Sequence, residues 1–283
     1  MLWTDLARGE FTLGYVDVHG IRTRCLSAGR GDGPPLVFLH GSGGHLEAYQ
    51  RNILPHAEHL RVFALDMLGH GFTGKPDRDY EIDDYVDHLV AFCDTLNLPR
   101  IFVSGESLGG WVAARLAIRH PDRVAKLVLN TAGGLTANAA VMERLRTLSL
   151  EAVRHPDRAA VRRRLEWLMH DPATVSDDLV EMRYLVYTQP GMLQAMEHIM
   201  CLQLMPIRER NMIPVADLRQ ITAPTLVVWT THDPTGQVEV GETFAREIPD
   251  ARLVVMDGCG HWPQFEDAPT FNRLHLEFLL GRI

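Results

Sequence analysis

Short apolar runs recur along the chain at intervals that leave room for a helix between them: Leu36 to Leu39, Val62 to Asp66, Ile101 to Ser104, Val124 to Leu129, Thr225 to Trp229 and Arg252 to Met256. None alternates with polar residues, so they read as parallel strands buried on both faces. Two earlier segments, Gly14 to His19 and Ile21 to Ser27, meet at His19-Gly20 and predict an antiparallel hairpin leading into the sheet. That makes eight strands. Between them, helical spacing marks Ile82 to Leu96, Ser107 to His120 with Pro121 as its stop, and Phe271 to Leu280, where Phe271, Leu274 and Phe278 share one face. Strand alternating with helix predicts a three-layer α/β fold, a mostly parallel sheet covered on both sides.

The rhythm breaks between Thr131 and Pro214, where helical periodicity runs on without a convincing strand. The expected organisation is therefore a core of residues 1–130 and 214–283 with an inserted helical cap over 131–213. Eight of the eleven methionines fall in that insertion: Met142, Met169, Met182, Met192, Met196, Met200, Met205 and Met212. Such flexible side chains can line an adaptable apolar pocket or fill an irregular helix–helix core, and for any single one the second is the expectation.

Composition adds limits. With 46% hydrophobic and 23% charged residues over 283 positions the chain is an ordinary globular one, neither disordered nor fibrous. Its net charge of −8 and the lack of a basic cluster longer than Arg162 to Arg164 argue against a nucleic-acid partner. No apolar run approaches the roughly 20 residues that span a bilayer, and the start MLWTDLARGEF lacks the pattern of a signal peptide. A cytoplasmic protein is expected. Cys25, Cys93, Cys201 and Cys259 are scattered without a CxxC pair, which predicts reduced, packed thiols rather than a disulfide or zinc framework.

The chemistry begins at Gly105-Glu106-Ser107-Leu108-Gly109-Gly110, between a predicted strand and a predicted helix. A GxSxG string alone is weak, but in that position it makes a strained turn that presents the serine above the sheet. A serine hydroxyl needs a base, and the base an orienting carboxylate. Asp233 follows the strand at Thr225 and His261 follows the strand at Arg252, inside Cys259-Gly260-His261-Trp262. Asp257 competes with Asp233 for the carboxylate role. Donors for the oxyanion formed when serine adds to a carbonyl would be the backbone N–H groups of Ser42, in His40-Gly41-Ser42-Gly43-Gly44, and of Leu108. His40 either supports that loop by hydrogen bonding or is a satisfied core histidine. No HExxH, P-loop or GxGxxG follows the first strand, so metal and cofactor chemistry have no support and the reaction reads as cofactor-free.

The stretches LHGSGG, LDMLGHGFTGKP, GESLGGWVA, HDPATVSDDLVEMRY and CGHWPQFEDAPTFNRLHLEFL together resemble the α/β-hydrolase family. More narrowly, the chain resembles the meta-cleavage-product hydrolases, which cut a C–C bond in vinylogous 1,5-diketones (2-hydroxy-6-oxo-dienoates) from aromatic-compound catabolism. The resemblance covers nearly the whole chain and implies the α/β-hydrolase fold. It also implies Ser107, Asp233 and His261 as the triad, Ser42 and Leu108 as the oxyanion donors, and Arg183 as the residue engaging the dienoate end. Trp262 is then the aromatic beside the histidine, and Gly41, Gly43 and Glu106 are further substrate-side positions. Dehalogenases and most epoxide hydrolases of this fold carry an aspartate where Ser107 stands. Two positions depart from the pattern: Gly44 replaces the usual proline and Glu106 the usual asparagine. A carboxylate at Glu106 would repel an anionic substrate unless protonated or paired, although in esterases a glutamate there can be a buried hydrogen-bonding group. A related segment appears as Glu47-Ala48-Tyr49 without its asparagine. The expected mechanism is ketonisation of the dienol, attack by Ser107, C–C cleavage and hydrolysis of the acyl-enzyme, with an apolar tail held by Met and aromatic side chains. A carboxylesterase or lactonase with the same triad is the alternative, and a ligand receptor on this fold a more remote one. The expected partners are a small-molecule substrate and further copies of the chain in a homo-oligomer, with neither membrane nor nucleic acid.

Overall fold

The computed structural model describes residues 4–31 and 33–283. Eight strands form one sheet: β1 (Phe11–Val18), β2 (Ile21–Ala28), β3 (Leu36–Leu39), β4 (Val62–Leu65), β5 (Ile101–Glu106), β6 (Val124–Asn130), β7 (Thr225–Thr230) and β8 (Ala251–Met256). Their order is β1-β2-β4-β3-β5-β6-β7-β8. The hairpin β1–β2 runs antiparallel and β2 joins β4 antiparallel, while every pairing from β4 to β8 is parallel. His19 and Gly20 both take positive φ at the hairpin turn, as a tight two-residue connection requires.

The central strands β3, β4 and β7 are buried along their whole length, as their unbroken apolar runs predict. β8 departs from that expectation. It is the edge strand, mostly half-buried or exposed, because only β7 covers one of its flanks. Helices α1 (Gln50–Ala57), α2 (Ile82–Thr95), α3 (Leu108–Arg119), α9 (Val238–Glu247), α10 (Pro263–Glu266) and α11 (Ala268–Leu279) flank the sheet. α2 packs on α3 and α3 on β5 and β6, whereas α1 packs on α11 and β4, so both faces are covered. Phe271 and Phe278 of α11 point into this core.

Between β6 and β7 come only helices: α4 (Ala139–Arg154), α5 (Arg158–Glu166), α6 (Asp177–Tyr187), α7 (Met192–Ile199) and α8 (Met205–Asn211), with short 3₁₀ turns. Their starts are locally encoded, since Asn138, Asp157 and Ser176 each accept a hydrogen bond from a backbone N–H of the first turn. Most of the methionines here pack among the helices, and Met142 is the one of the eight that lines the cavity beside Ser107 and His261. All four cysteines are buried and unpaired. No helix of the described residues is long and apolar enough to cross a membrane.

The register decides where chemistry can occur. Leu39 pairs with Gly105, Glu106 with Asn130, Asn130 with Val228 and Thr230 with Met256. The carboxyl ends of β3, β5, β6, β7 and β8 therefore lie in a row, and the loops leaving them share one rim of the sheet.

Candidate active site

Ser107 joins β5 to α3 with φ 55° and ψ −113°, a region that L-residues rarely occupy. The turn is held by its neighbours: Ser107 N–H donates to Asn130 O, and Ser107 O accepts from Trp111 N and Gly133 N, each at 3.0 Å. It is also sterically specific. A Cβ at Gly105 would lie 2.1 Å from Gly109 O, and one at Gly109 would lie 2.2 Å from Leu39 O, so the serine can be this close to two strands only between glycines.

His261 lies in the loop after β8 and Asp233 in the loop after β7. The imidazole Nδ1 is 2.9 and 3.0 Å from the two carboxylate oxygens of Asp233, and both side chains are buried. That contact fixes the proton on Nδ1 and leaves Nε2 facing the cavity. Thr235 completes the arrangement: its N–H and Oγ1 each reach Asp233 Oδ1 at 2.8 Å, and Oγ1 lies 3.1 Å from Nδ1. Asp257, the competing carboxylate, is exposed and accepts from Thr231 Oγ1 at 2.8 Å.

The loop after β3 is fastened from beneath. Met67 N–H donates to His40 Nε2 at 3.1 Å, so Nδ1 carries the proton and donates to Gly41 O at 2.8 Å. Burial holds this imidazole well below its ordinary pKa, keeping it neutral. Gly44 N–H donates to the same Gly41 oxygen at 3.0 Å, and a Cβ at Gly44 would sit 2.8 Å from both Gly41 O and His40 Nδ1. Glycine is thus required at this departure from the resembled pattern. Farther along, Glu47 accepts from Arg24 at 2.5 Å and lies 2.9 Å from His45 Nδ1, and Arg24 also reaches Asp66 at 3.2 Å. Glu47, of the Glu47-Ala48-Tyr49 segment, is thus part of a buried charge network.

Glu106 is 1% exposed and points under the loop, where a Cβ at Gly41 would come 2.6 Å from its carboxylate. Its Oε1 lies 3.2 Å from His261 Nε2, and Oε2 has no hydrogen-bond partner among the described residues. Burial pushes its pKa up to about 6, against the pull of His261 and the Gly41 N–H. For His261, burial lowers the pKa, but Asp233 and then Glu106 outweigh it, so the net shift is upward. The imidazole therefore sits between two carboxylates, and the Glu106 charge is paired rather than presented bare to a substrate.

Ser42, Leu108, Gly41, Glu106, Ser107, His261 and Trp262 all line one cavity. Leu108 opens α3, where an N–H has no intrahelical acceptor. Arg183 is 2% exposed, so it is no solvated surface charge. Its Nη1 donates to Gly43 O at 2.6 Å and to Tyr187 Oη at 3.2 Å, its guanidinium carbon is 5.6 Å from the centre of the Trp262 ring, and its Nε and Nη2 are buried without acceptors. It stands behind the Gly43 turn rather than in the wall of the cavity. Two other arginines are in that wall, Arg164 and Arg208.

A family model described as the alpha/beta hydrolase fold matches residues 34–268. The chain belongs to the alpha/beta hydrolase fold family. Among curated relatives of this hydrolase, the 2-hydroxymuconate semialdehyde hydrolase of Pseudomonas sp. strain CF600 is 35% identical over 92% of this chain and 91% of the relative. The 2-hydroxy-6-oxo-6-phenylhexa-2,4-dienoate hydrolase of Burkholderia cepacia is 31% identical over 88% of each. Among solved structures, the meta-cleavage product hydrolase from Pseudomonas fluorescens IP01 superposes with a TM-score of 0.83 at 27% identity, covering 95% of this chain and 98% of the other. The family resemblance carried by the motifs is the one these relatives bear out.

Several site residues of this hydrolase escaped the sequence reading. Thr235 had a signal, since Asp-Pro-Thr after a strand is an Asx-turn pattern in which the Asp side chain caps the next residues. Arg164 had none: it lies in the run Arg162 to Arg164, and only the helix orientation sends it inward while Arg163 stays exposed. Arg208 sits in an equally polar run, IRERN, and its inward course depends on where α8 packs.

Proposed function

We propose that this hydrolase cleaves the C–C bond of a 2-hydroxy-6-oxo-dienoate, a vinylogous 1,5-diketone of the kind produced by ring fission of aromatic compounds. Ser107 is the nucleophile, His261 the base, Asp233 the group that fixes its tautomer, and the N–H groups of Ser42 and Leu108 the oxyanion donors. The likeness to dienoate hydrolases, which runs through nine-tenths of the chain and both sides of the helical insertion, supports this substrate class above a plain ester. The geometry that carries the mechanism is His261, held through Nδ1 on both oxygens of Asp233 and turning Nε2 to the cavity that Ser107 enters.

In this reading the dienol first gives up its C2 hydroxyl proton and takes one at C5, becoming a ketone. Ser107 then adds to the C6 carbonyl as its proton passes to His261 Nε2. The imidazolium forms between Asp233 and Glu106, whose charges favour it. Collapse expels C5 as a dienolate, whose C2 oxygen takes the proton from His261 to give the hydroxydienoate, and water activated by His261 hydrolyses the acyl-enzyme to a carboxylic acid. Residues 131–213 act as the cap, and Arg183, packed behind the Gly43 turn with two donors unused, takes up the dienoate end as that turn yields to substrate, Trp262 lying against its guanidinium. A cytoplasmic location and a homo-oligomer belong to the same reading, and light scattering after size exclusion checks the assembly.

Mass spectrometry of products from a panel of ring-fission dienoates and simple esters tests the reaction. The expected result is a hydroxydienoate plus an acid, lost by about 10⁴- to 10⁶-fold in Ser107→Ala. Arg183→Gln should cost on the order of 2 to 4 kcal/mol of transition-state stabilisation with the dienoate and much less with a p-nitrophenyl ester. Rapid ester turnover with no dienoate cleaved would replace the C–C reading by an esterase.

A further inference from the structure

The cavity is not the purely apolar slot that the methionine-rich insertion predicts. Beside Met142, Leu145 and other apolar side chains, its wall carries Arg208, Trp111, Gln203, Thr136 and Asn138. Trp111 lies one helical turn beyond Ser107, its backbone N–H bonded to Ser107 O. Its indole Nε1 is buried and has no acceptor among the described residues. The Arg208 guanidinium stands 5.1 Å from the centre of the same ring. Arg208 spends Nε on Thr136 O at 2.7 Å, and Nη1 has only long contacts of 3.4 Å to Leu202 O and Gln203 Oε1. No carboxylate among the described residues pairs with it, and burial alone lowers its pKa to about 10.

A half-buried guanidinium without a counter-charge is costly unless something else supplies the anion. In a chain of net charge −8, the one acidic side chain lining the cavity among the described residues is Glu106, and that is engaged with His261. Arg164 and Arg183 feel one another beside Tyr187, near the reaction centre. Arg208 touches none of the residues around them. The cavity wall thus carries two arginines held by different partners, Arg164 on Ser149 Oγ and Arg208 on Thr136 O.

Resting on the dienoate reading, we infer that the substrate carries a second carboxylate, at the end of the chain attached to C6, which Arg208 and the indole N–H of Trp111 bind. The acid released from the acyl-enzyme would then be a dicarboxylic acid. An alkyl or phenyl tail would leave the Trp111 N–H and the Arg208 charge unanswered, which is the kind of mismatch a polar site discriminates against.

Two substrate pairs test this, each differing only in whether the tail ends in carboxylate or methyl. One is a 2-hydroxy-6-oxo-dienoate pair; the other is p-nitrophenyl hydrogen glutarate against p-nitrophenyl valerate, corrected for uncatalysed hydrolysis. Wild-type enzyme should favour the carboxylate tail by about 10- to 100-fold in kcat/KM, the range of a charge-assisted contact. Arg208→Gln should lose about that much more on the carboxylate tail than on the methyl tail, with Arg208→Lys retaining part of the preference. Cleavage of neither dienoate, with the preference present in the ester pair and lost in Arg208→Gln, would overturn the C–C reading and leave the subsite standing. A wild-type preference for methyl, or no preference in either pair, overturns the subsite even if no variant folds. So does a loss in Arg208→Gln that is equal for both tails.

Discussion

At His261, a single ring is asked to distinguish three carboxylates within reach of its loop. Asp233 holds Nδ1 with both oxygens, Glu106 faces Nε2, and Asp257, only four residues away in sequence, turns out to Thr231. Asp233→Asn should therefore lower kcat by about 10³- to 10⁴-fold, because the imidazole loses tautomer control. Asp257→Asn should change it by less than about threefold, and steady-state kinetics on both variants checks the ranking. The Glu106 contact makes a second prediction. An ionised carboxylate at Nε2 favours the imidazolium and raises the His261 pKa, so the acidic limb of the pH–rate profile lies higher than it otherwise would. Glu106→Gln removes that charge and should move the limb to lower pH. A limb that stays in place or moves up would mean the Glu106 charge does not reach the base.

Between elements, the insertion and the histidine loop are built into each other. His261 N–H donates to Leu168 O at 2.7 Å, and Glu266 accepts from His170 N at 2.7 Å and from Gly260 N at 2.8 Å. Thr131, just past the end of β6, and Thr230 of β7 donate to the carbonyls of His261 and Gly260. The helical insertion therefore fixes the height of the His261 ring above the sheet. Gly260 is where this contact is tightest, since a Cβ would come 2.4 Å from Leu168 O and 2.5 Å from His170 N. Gly260→Ala must push the two loops apart. It should cost about 1 to 3 kcal/mol of stability as an overpacked site and at least about tenfold in kcat/KM through the displaced His261. Thermal melts and kinetics on the variant measure both.

For the whole molecule, protonation of buried histidines governs acid stability. Burial first of all lowers the pKa of His40, His56, His70, His88 and His275, with His56 and His88 brought to about 4 and His70 to about 3. Three of them are wired as neutral rings: His56 Nε2 to His275 Nδ1 and His275 Nε2 to Ser104 Oγ, each at 2.9 Å, and His88 Nε2 to Thr23 Oγ1 at 2.9 Å. An unfolded histidine takes its proton near pH 6.5, whereas these resist it until far lower. Between those values the unfolded chain binds more protons, so stability rises with pH there. Asp66, Glu106, Glu266, His198 and His261, with raised values, act in the opposite sense, while Glu47, Glu81, Glu247 and Asp257, held low, act with the buried rings. The melting temperature should be flat above about pH 7 and fall steadily from about pH 6.5 toward pH 4. A melting temperature constant across that interval would show that the rings are not buried neutral in solution.

The α/β alternation, the hairpin, the break into helices after Thr131 and the serine between two glycines were all legible in the sequence, because each rests on local rules: apolar runs, turn residues, helix caps and the steric demand of a sharp elbow. The order Ser107, Asp233, His261 was legible for the same reason, each residue following a recognisable strand. Tertiary structure decided the rest. The exposure of β8 depends on which strand ends the sheet. The pairing of Asp233 rather than Asp257 depends on β7 and β8 lying side by side. Glu106 became a partner of His261 only because Gly41 leaves it room. The inward turn of Arg164 and Arg208, in runs as polar as any surface helix, depends on how α5 and α8 pack, and periodicity carries no sign of which cation a fold will bury.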